Sequence, residues 1–266
     1  MGVMSTESKQ ISTFAQRGAG IRWCDVLVVL VAGSLAGGMA VIAILLINAL
    51  GSSGNDLAAF NPDRIFSGAS ADFALNQLFL VALEVPFLAI FWLVAKLRLP
   101  SPFRSYFPAI SSISLLLAAG SGAAVAALCE FSNEILTRAS IVTFHLSDFD
   151  RAIIPHSLGQ TAAVIGTVVM LAPFVEECFY RGMLLDWLQR KLGAWLAVLF
   201  SAAIFAAVHG YMGMHPGLEG WIDTAEIFAG GIVMAIWALQ TGSLWAPLAV
   251  HSAYNGMSVV LAVWLK

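Results

Sequence analysis

Long apolar stretches separated by short polar connections run along most of this chain. They fall near residues 26–50, 75–95, 109–129, 158–180, 194–209, 225–240 and 244–264. A helix rises about 1.5 Å per residue, so about 20 apolar residues span a hydrocarbon core of about 30 Å. Most of the stretches meet that length, while 194–209 and 225–240 are short and need flanking residues such as Tyr211 or Trp221 to complete a crossing. Backbone N–H and C=O groups in lipid must be satisfied within the protein, which favours helices. The pattern therefore predicts an all-α integral membrane protein, a bundle of about 7–8 transmembrane helices. No repeat, long linker or low-complexity tract divides it. One transmembrane domain is expected over 23–266, after a cytoplasmic N-terminal segment, 1–22.

Composition agrees with the pattern: 59% of residues are hydrophobic and 11% charged. The net charge of −3 and the lack of a basic run exclude nucleic acid as a partner and leave the lipid bilayer as the first one. Cys24, Cys129 and Cys178 lie in or beside apolar stretches without CxxC spacing, the pattern of buried free thiols rather than of disulfides or a zinc–thiolate site. Lys9, Arg17 and Arg22 precede an apolar run longer than the signal-peptide core of about 7–15 residues, so this run reads as a retained anchor.

Alternating the connections between two sides puts Lys9, Arg17, Arg22, Lys96, Arg98, Arg104, Arg181, Arg190 and Lys191 together. Arg64, Arg138, Arg151 and Lys266 fall on the other side. The positive-inside rule assigns the first group to the cytoplasm. The opposite connections, 51–74 and 130–157, carry Asp56, Asp63, Asp72, Glu130, Glu134, Asp148 and Asp150, as a solvated outer face would. Gly33 and Gly37 form a small-xxx-small pair suited to close helix packing within the bundle.

Polar groups inside the apolar stretches are few, and each charge there costs at least about 2.5–3.5 kcal/mol. They cluster. The fourth stretch carries Glu176, Glu177 and Arg181, the fifth ends in His209, and the seventh holds His251 and Asn255. Glu177 and Arg181 stand at i and i+4, share a helix face and can neutralise each other, with Glu176 rotated by about 100°. His251 and Asn255 repeat the i, i+4 spacing, as do Phe205 and His209. Counting at about 1.5 Å per residue from a turn near Lys191 brings Glu176 and His209 to similar depth, roughly 22 and 27 Å. His251, only about 13 Å beyond a turn at Gly242, matches less well unless the two turns differ in height.

"EECFYR" (176–181), "FAAVH" (205–209) and "HSAYN" (251–255) follow one another on three separate apolar stretches. As EExxxR, FxxxH and HxxxN, they resemble the motif set of the CAAX-protease and bacteriocin-processing (CPBP, or Abi) family of intramembrane endopeptidases. The resemblance covers the last hundred residues or so; the first 150 match only in being hydrophobic helices. It implies hydrolysis of a peptide bond near the C-terminus of a prenylated or otherwise membrane-associated peptide or protein. Glu176 and His209 would hold and deprotonate the water, and His251 and Asn255 would face the oxyanion. Arg181 would orient Glu177. Amide hydrolysis needs this division of labour, an activated water and a stabilised oxyanion.

No cofactor is expected on this reading. Zinc is the alternative, held by Glu176, His209 and His251, since two histidines and a glutamate also form a catalytic zinc set, although HExxH is absent. A transporter would also place charges in the membrane, but would bring internal repeats and paired broken helices. A third reading is a catalytically inactive membrane scaffold or bacteriocin-immunity-type protein. The orientation and the lack of targeting signals point to a bacterial plasma (inner) membrane.

The remaining polar positions take plainer readings. Glu84, two residues before Pro86, either lines the cavity or makes a helix hydrogen bond near a proline kink. His145, His156 and His215 read as solvated loop residues. Glu219, Asp223 and Glu226 mark the connection into the sixth stretch, with Glu226 as a first-turn dipole partner. Trp187, Trp195, Trp221, Trp245 and Trp264 read as interface anchors.

Overall fold

The computed structural model describes residues 20–52, 72–144, 154–210, 215 and 217–264. Among them the chain forms eight helices and no strand: α1 Trp23–Ser52, α2 Phe73–Arg98, α3 Pro102–Tyr106, α4 Ser112–Arg138, α5 Leu158–Leu192, α6 Ala194–Val208, α7 Leu218–Thr241 and α8 Trp245–Trp264. Six are long and apolar enough to cross a membrane, and the 15-residue α6 is the shorter seventh apolar helix. The chain is a multi-pass, all-α integral membrane protein.

The fourth apolar stretch, 158–180, lies within a longer helix. α5 is 35 residues long and ends at Leu192, beside the turn expected near Lys191, and Asp186, Gln189 and Arg190 find partners or burial inside the bundle. Gly193, at φ 80°, then turns the chain. α7 begins at Leu218, so Glu226 lies two turns inside it and accepts from Asn133 Nδ2 of α4 at 3.4 Å; Glu219 is the first-turn acid. Elsewhere, helix starts follow local chemistry. Asp72, Ser111 and Ser157 each accept a backbone N–H three residues on, the N-cap arrangement.

Packing pairs α1 with α2, α4 with α8, and α6 with α7. At Gly33 an added Cβ would come within 2.5 Å of Phe87, and at Gly37 within 2.9 Å of the Leu83 carbonyl, so this small-residue pair serves contact inside the bundle. Cys24, Cys129 and Cys178 are free thiols. At one end of the bundle Arg98 grips Asp25 through two nitrogens at 2.8–3.0 Å, and Arg190 donates to Asp186 at 2.7 Å and to the Ile21 carbonyl at 2.9 Å. Arg98 and Arg190, both expected on the cytoplasmic side, thus meet at one end, whereas Lys9 and Arg17 lie outside the described residues. Arg181, expected with them, is not an end charge but a fully buried one.

Two features set the depth of the site. The turn Gly242–Leu244 is buried rather than superficial: Leu244 N–H donates to the Tyr106 carbonyl at 2.8 Å and Ser243 Oγ to the Pro108 carbonyl at 2.7 Å. Tyr106 and Leu244 both pack at the level of Gly182, eleven residues before the α5–α6 turn at Gly193, or about 16 Å along the helix. The short α3 and the segment after it thus close over the α7–α8 turn and let α8 start deep. Phe103, Phe107, Phe174 and Trp245 form the aromatic seam of that closure, with Phe107 and Phe174 stacked at 5.5 Å.

The second feature lies in α5, whose turns at 165–171 and 180–184 are π-helical. Pro173 explains the first. It has no N–H for the Val169 carbonyl, and its ring crowds that carbonyl, so the preceding turn widens. π-Helical turns recur at functional sites. Here two of them flank Glu176 and Glu177.

Candidate active site

The deep start of α8 brings His251 between the two glutamates of α5. Its Nδ1 lies 2.8 Å from Glu177 Oε1 and its Nε2 3.5 Å from Glu176 Oε2. Glu177 also accepts from Arg181 Nη1 at 2.9 Å. Arg181 and Glu177 are 0% and 1% exposed, and they are i, i+4 partners as the spacing predicts. An ionised carboxylate only accepts, so Nδ1 of His251 carries its proton toward Glu177. This fixes the ring with Nε2 facing Glu176.

Glu176 differs from its neighbour in exposure: 21% of its side chain is accessible. Glu176 Oε2 and Glu177 Oε2 are both buried, and neither receives a hydrogen bond among the described residues. Glu84 is half-buried on α2.

Phe205 organises the other side. Arg181 Cζ lies 4.4 Å from the Phe205 ring centroid, a cation–π contact, while Arg181 Nη2 donates to the Gly231 carbonyl of α7 at 3.2 Å. The His209 ring lies 4.5 Å from Phe205 and the His251 ring 5.7 Å from it. His209 Nδ1 lies 2.7 Å from the Phe205 carbonyl. The spacing of "FAAVH" suggested a shared face; the structure adds that the phenylalanine is the surface on which both histidines and the arginine rest.

Asn255 is engaged with α5 rather than with the carboxylates. Ala172 N–H donates to the Thr167 carbonyl in the π pattern, and Pro173 has no N–H, so neither pattern supplies a donor for the Val168 carbonyl. Asn255 Nδ2 supplies it at 2.8 Å, using one of the two N–H bonds of its amide. Gly231, Val168 and Tyr180, whose carbonyl accepts from Ser201 Oγ at 3.3 Å, carry no sequence signal, because their contributions are backbone carbonyls.

Glu176 Oε2 and His251 Nε2 stand at a spacing two ligands of one zinc ion could take, at about 2.0–2.2 Å each. The one group of three His, Cys, Asp or Glu donors that converges among the described residues lies elsewhere, at His215, Glu219 and Asp223. Two of these three are not solvated residues of a connection: His215 and Glu219 are 8% and 4% exposed. His156 is exposed as expected, and His145 lies outside the described residues, as do Arg17, Arg64, Arg151 and Tyr211. Of the tryptophans, Trp195 and Trp221 are 76% and 64% exposed, whereas Trp187 packs partly buried against the core.

Residues 158–257 match the family model described as type II CAAX prenyl endopeptidase Rce1-like, which is the CPBP family, as the motifs indicated. The matched segment contains Glu176, Glu177, Arg181, His209, His251 and Asn255. A curated relative, described as an uncharacterized 24.3 kDa protein of Escherichia coli, is 26% identical over 97 residues, 36% of this chain. The match spans 42% of that relative's length. No solved structure matches.

Proposed function

We propose that the protein is an intramembrane endopeptidase that hydrolyses a peptide bond of a membrane-associated substrate with a water activated by Glu176. The observation that carries this is the contrast between adjacent carboxylates. Glu177 is sealed between Arg181 and His251, whereas Glu176 is partly accessible and faces His251 Nε2. A base needs reach to a water and to a substrate, and of the two carboxylates Glu176 is the accessible one.

On this reading Glu176 takes a proton from water, with His209 as the second group directed at it. His251, held by Glu177 at Nδ1, donates from Nε2 toward the oxyanion of the tetrahedral intermediate once that nitrogen has received the proton from Glu176. Preorganised donors of this kind are worth about 2.7–4 kcal/mol each. Asn255 acts through its remaining N–H and through the α5 backbone it supports. Arg181 keeps the charge on Glu177 compensated and has no contact with substrate. The family match supports endopeptidase chemistry in general; a C-terminal, prenylated or otherwise lipid-associated peptide and a bacterial plasma membrane are our assignments. Catalysis without a metal is also part of the proposal.

Cleavage of prenylated and unprenylated fluorogenic peptides by the protein in liposomes tests it. Wild type should cleave at least one, and Glu176→Ala and His209→Ala should remove cleavage while retaining helical circular dichroism. Full activity in either variant refutes the assigned roles, and a folded wild type that cleaves neither peptide favours the scaffold reading. A stoichiometric ion lost on Glu176→Gln or His251→Ala would establish zinc chemistry at this site instead.

A further inference from the structure

None of the motif residues lies on α2, yet α2 packs beside α5 at the level of the site. Two contacts set its register: Thr167 Oγ1 donates to Gln77 Oε1, and the Phe87 and Phe179 rings meet edge to face at 5.2 Å. The two helices therefore run parallel. Glu84 follows Gln77 by about 10.5 Å along α2, and Glu176 follows Thr167 by about 13 Å along α5, so both carboxylates stand at similar depth between the same two contacts.

Gln77, Glu84 and Phe91 also share one stripe of α2, because a seven-residue spacing returns to the same side of a helix after two turns. This is the inner side: Gln77 and Phe91 are 7% and 0% exposed, while Val85, Leu93 and Leu97 on the other side are exposed. Glu84, between two buried neighbours on that stripe, is only half-buried. An inward-facing residue stays accessible where the bundle is open in front of it. Glu176 is accessible at the same depth, and one opening between α2 and α5 accounts for both.

Two polar groups on this stripe lack partners among the described residues. Glu84 makes no hydrogen bond or ion pair there, and Gln77 Nε2 is a buried donor with no acceptor. Such groups inside a membrane bundle are costly and mark substrate paths. Away from the helix ends, the described lysines and arginines reduce to Arg181, which is fully buried against Glu177. Along α2 the two groups are about 10.5 Å apart, the length of about three residues of extended peptide.

We propose that this inner face of α2 is a substrate-binding wall, on which Glu84 accepts from a lysine or arginine side chain of the peptide and Gln77 Nε2 donates to a peptide carbonyl about three residues away. Glu84 is thus a specificity-determining residue, selecting peptides with a cation at a fixed distance from the bond attacked beside Glu176. The inference rests on the endopeptidase reading of that site.

Fluorogenic peptides that differ only in carrying Lys, Met or Glu at one position, moved in turn along the peptide, test it with the full-length protein in liposomes. Cleavage gives kcat and KM; fluorescence anisotropy of the same peptides on Glu176→Gln protein gives binding without turnover. Hydrogen bonds to charged groups are worth about 10–100-fold in affinity, so at one position Lys should bind better than Met by that factor, with the difference in KM rather than kcat. Glu84→Gln should bring the Lys and Met peptides together, and Glu84→Lys should favour the Glu peptide. Gln77→Leu should weaken all peptides alike, and circular dichroism checks that each variant is folded. No Lys preference at any position, a Lys preference that persists in Glu84→Gln and Glu84→Lys, or unaltered binding in Gln77→Leu would each overturn the proposal. A Glu84-dependent Lys preference in binding, from a protein that cleaves none of the peptides, would uphold the wall and refute the endopeptidase reading instead. Cleavage without any Lys preference would do the reverse.

Discussion

His251 is joined to Glu177 by a hydrogen bond of 2.8 Å between α8 and α5, and that contact presents the opposite edge of the imidazole to Glu176. One buried carboxylate thus orients the ring that serves the other. Glu177 is in turn held by Arg181, so three side chains from two helices act as one unit.

Breaking that unit should cost stability as well as activity. Arg181 is fully buried, and removing one partner of a buried ion pair costs about 3–5 kcal/mol because the remaining charge loses its compensation. Glu177→Ala and Arg181→Ala should each lower the melting temperature sharply. Glu177→Leu combined with Arg181→Met should be less destabilised than either alanine variant while remaining inactive. Melting curves of the four proteins and an activity assay check both halves.

Glu176→Gln should behave in the opposite way. The side chain is partly accessible and joins no sealed pair, so the melting temperature should stay close to that of wild type. Loss of a general base should slow cleavage by about 10²–10⁴-fold. A slow but normally folded Glu176→Gln protein, set beside an unstable Glu177→Ala protein, separates the two glutamates experimentally.

Phe205→Leu should weaken the site without opening a large cavity. It removes the ring that lies 4.4 Å from Arg181 Cζ and under both histidines. Desolvated cation–π contacts are worth about 2 kcal/mol, so a loss of that size in denaturant unfolding is expected, with reduced cleavage. Phe205→Ala should cost more, about 3–5 kcal/mol.

Asn255→Ala should expose the defect that Pro173 builds into α5. The Val168 carbonyl would lose the donor that neither helical pattern provides, at a cost of about 1–3 kcal/mol for an unsatisfied group. Restoring a donor at position 173 with Pro173→Ala should recover part of that stability in the double variant. Unfolding measurements on both singles and the double provide the check.

Gly122→Ala tests how His251 is held in place. A Cβ there would stand 2.0 Å from the Val250 carbonyl, so α4 and α8 would have to separate one residue before His251. Reduced stability and reduced cleavage are expected together. Gly120→Ala, with nothing within 4 Å, should be neutral or stabilising by up to about 1 kcal/mol. Parallel melting curves and cleavage rates decide it.

The chain by itself determined what local spacing and solvent preference determine. Apolar length required membrane-spanning helices, and i, i+4 periodicity put Glu177 with Arg181 and Phe205 with His209, because a helix places those positions on one face whatever surrounds it. Relations between helices were decided by tertiary structure. Counting residues from Gly242 left His251 too shallow; α3 closing over the 242–244 turn starts α8 deep enough for it to reach both glutamates. Asn255 fits the sequence as an oxyanion donor, but the backbone gap beside Pro173 claims one of its N–H bonds. His215 reads as a solvated loop residue until a left-handed glycine folds it onto α7 beside two acids. Each of these outcomes depends on where a turn sits or which carbonyl lacks a donor, and such facts arise only when separate helices are packed together.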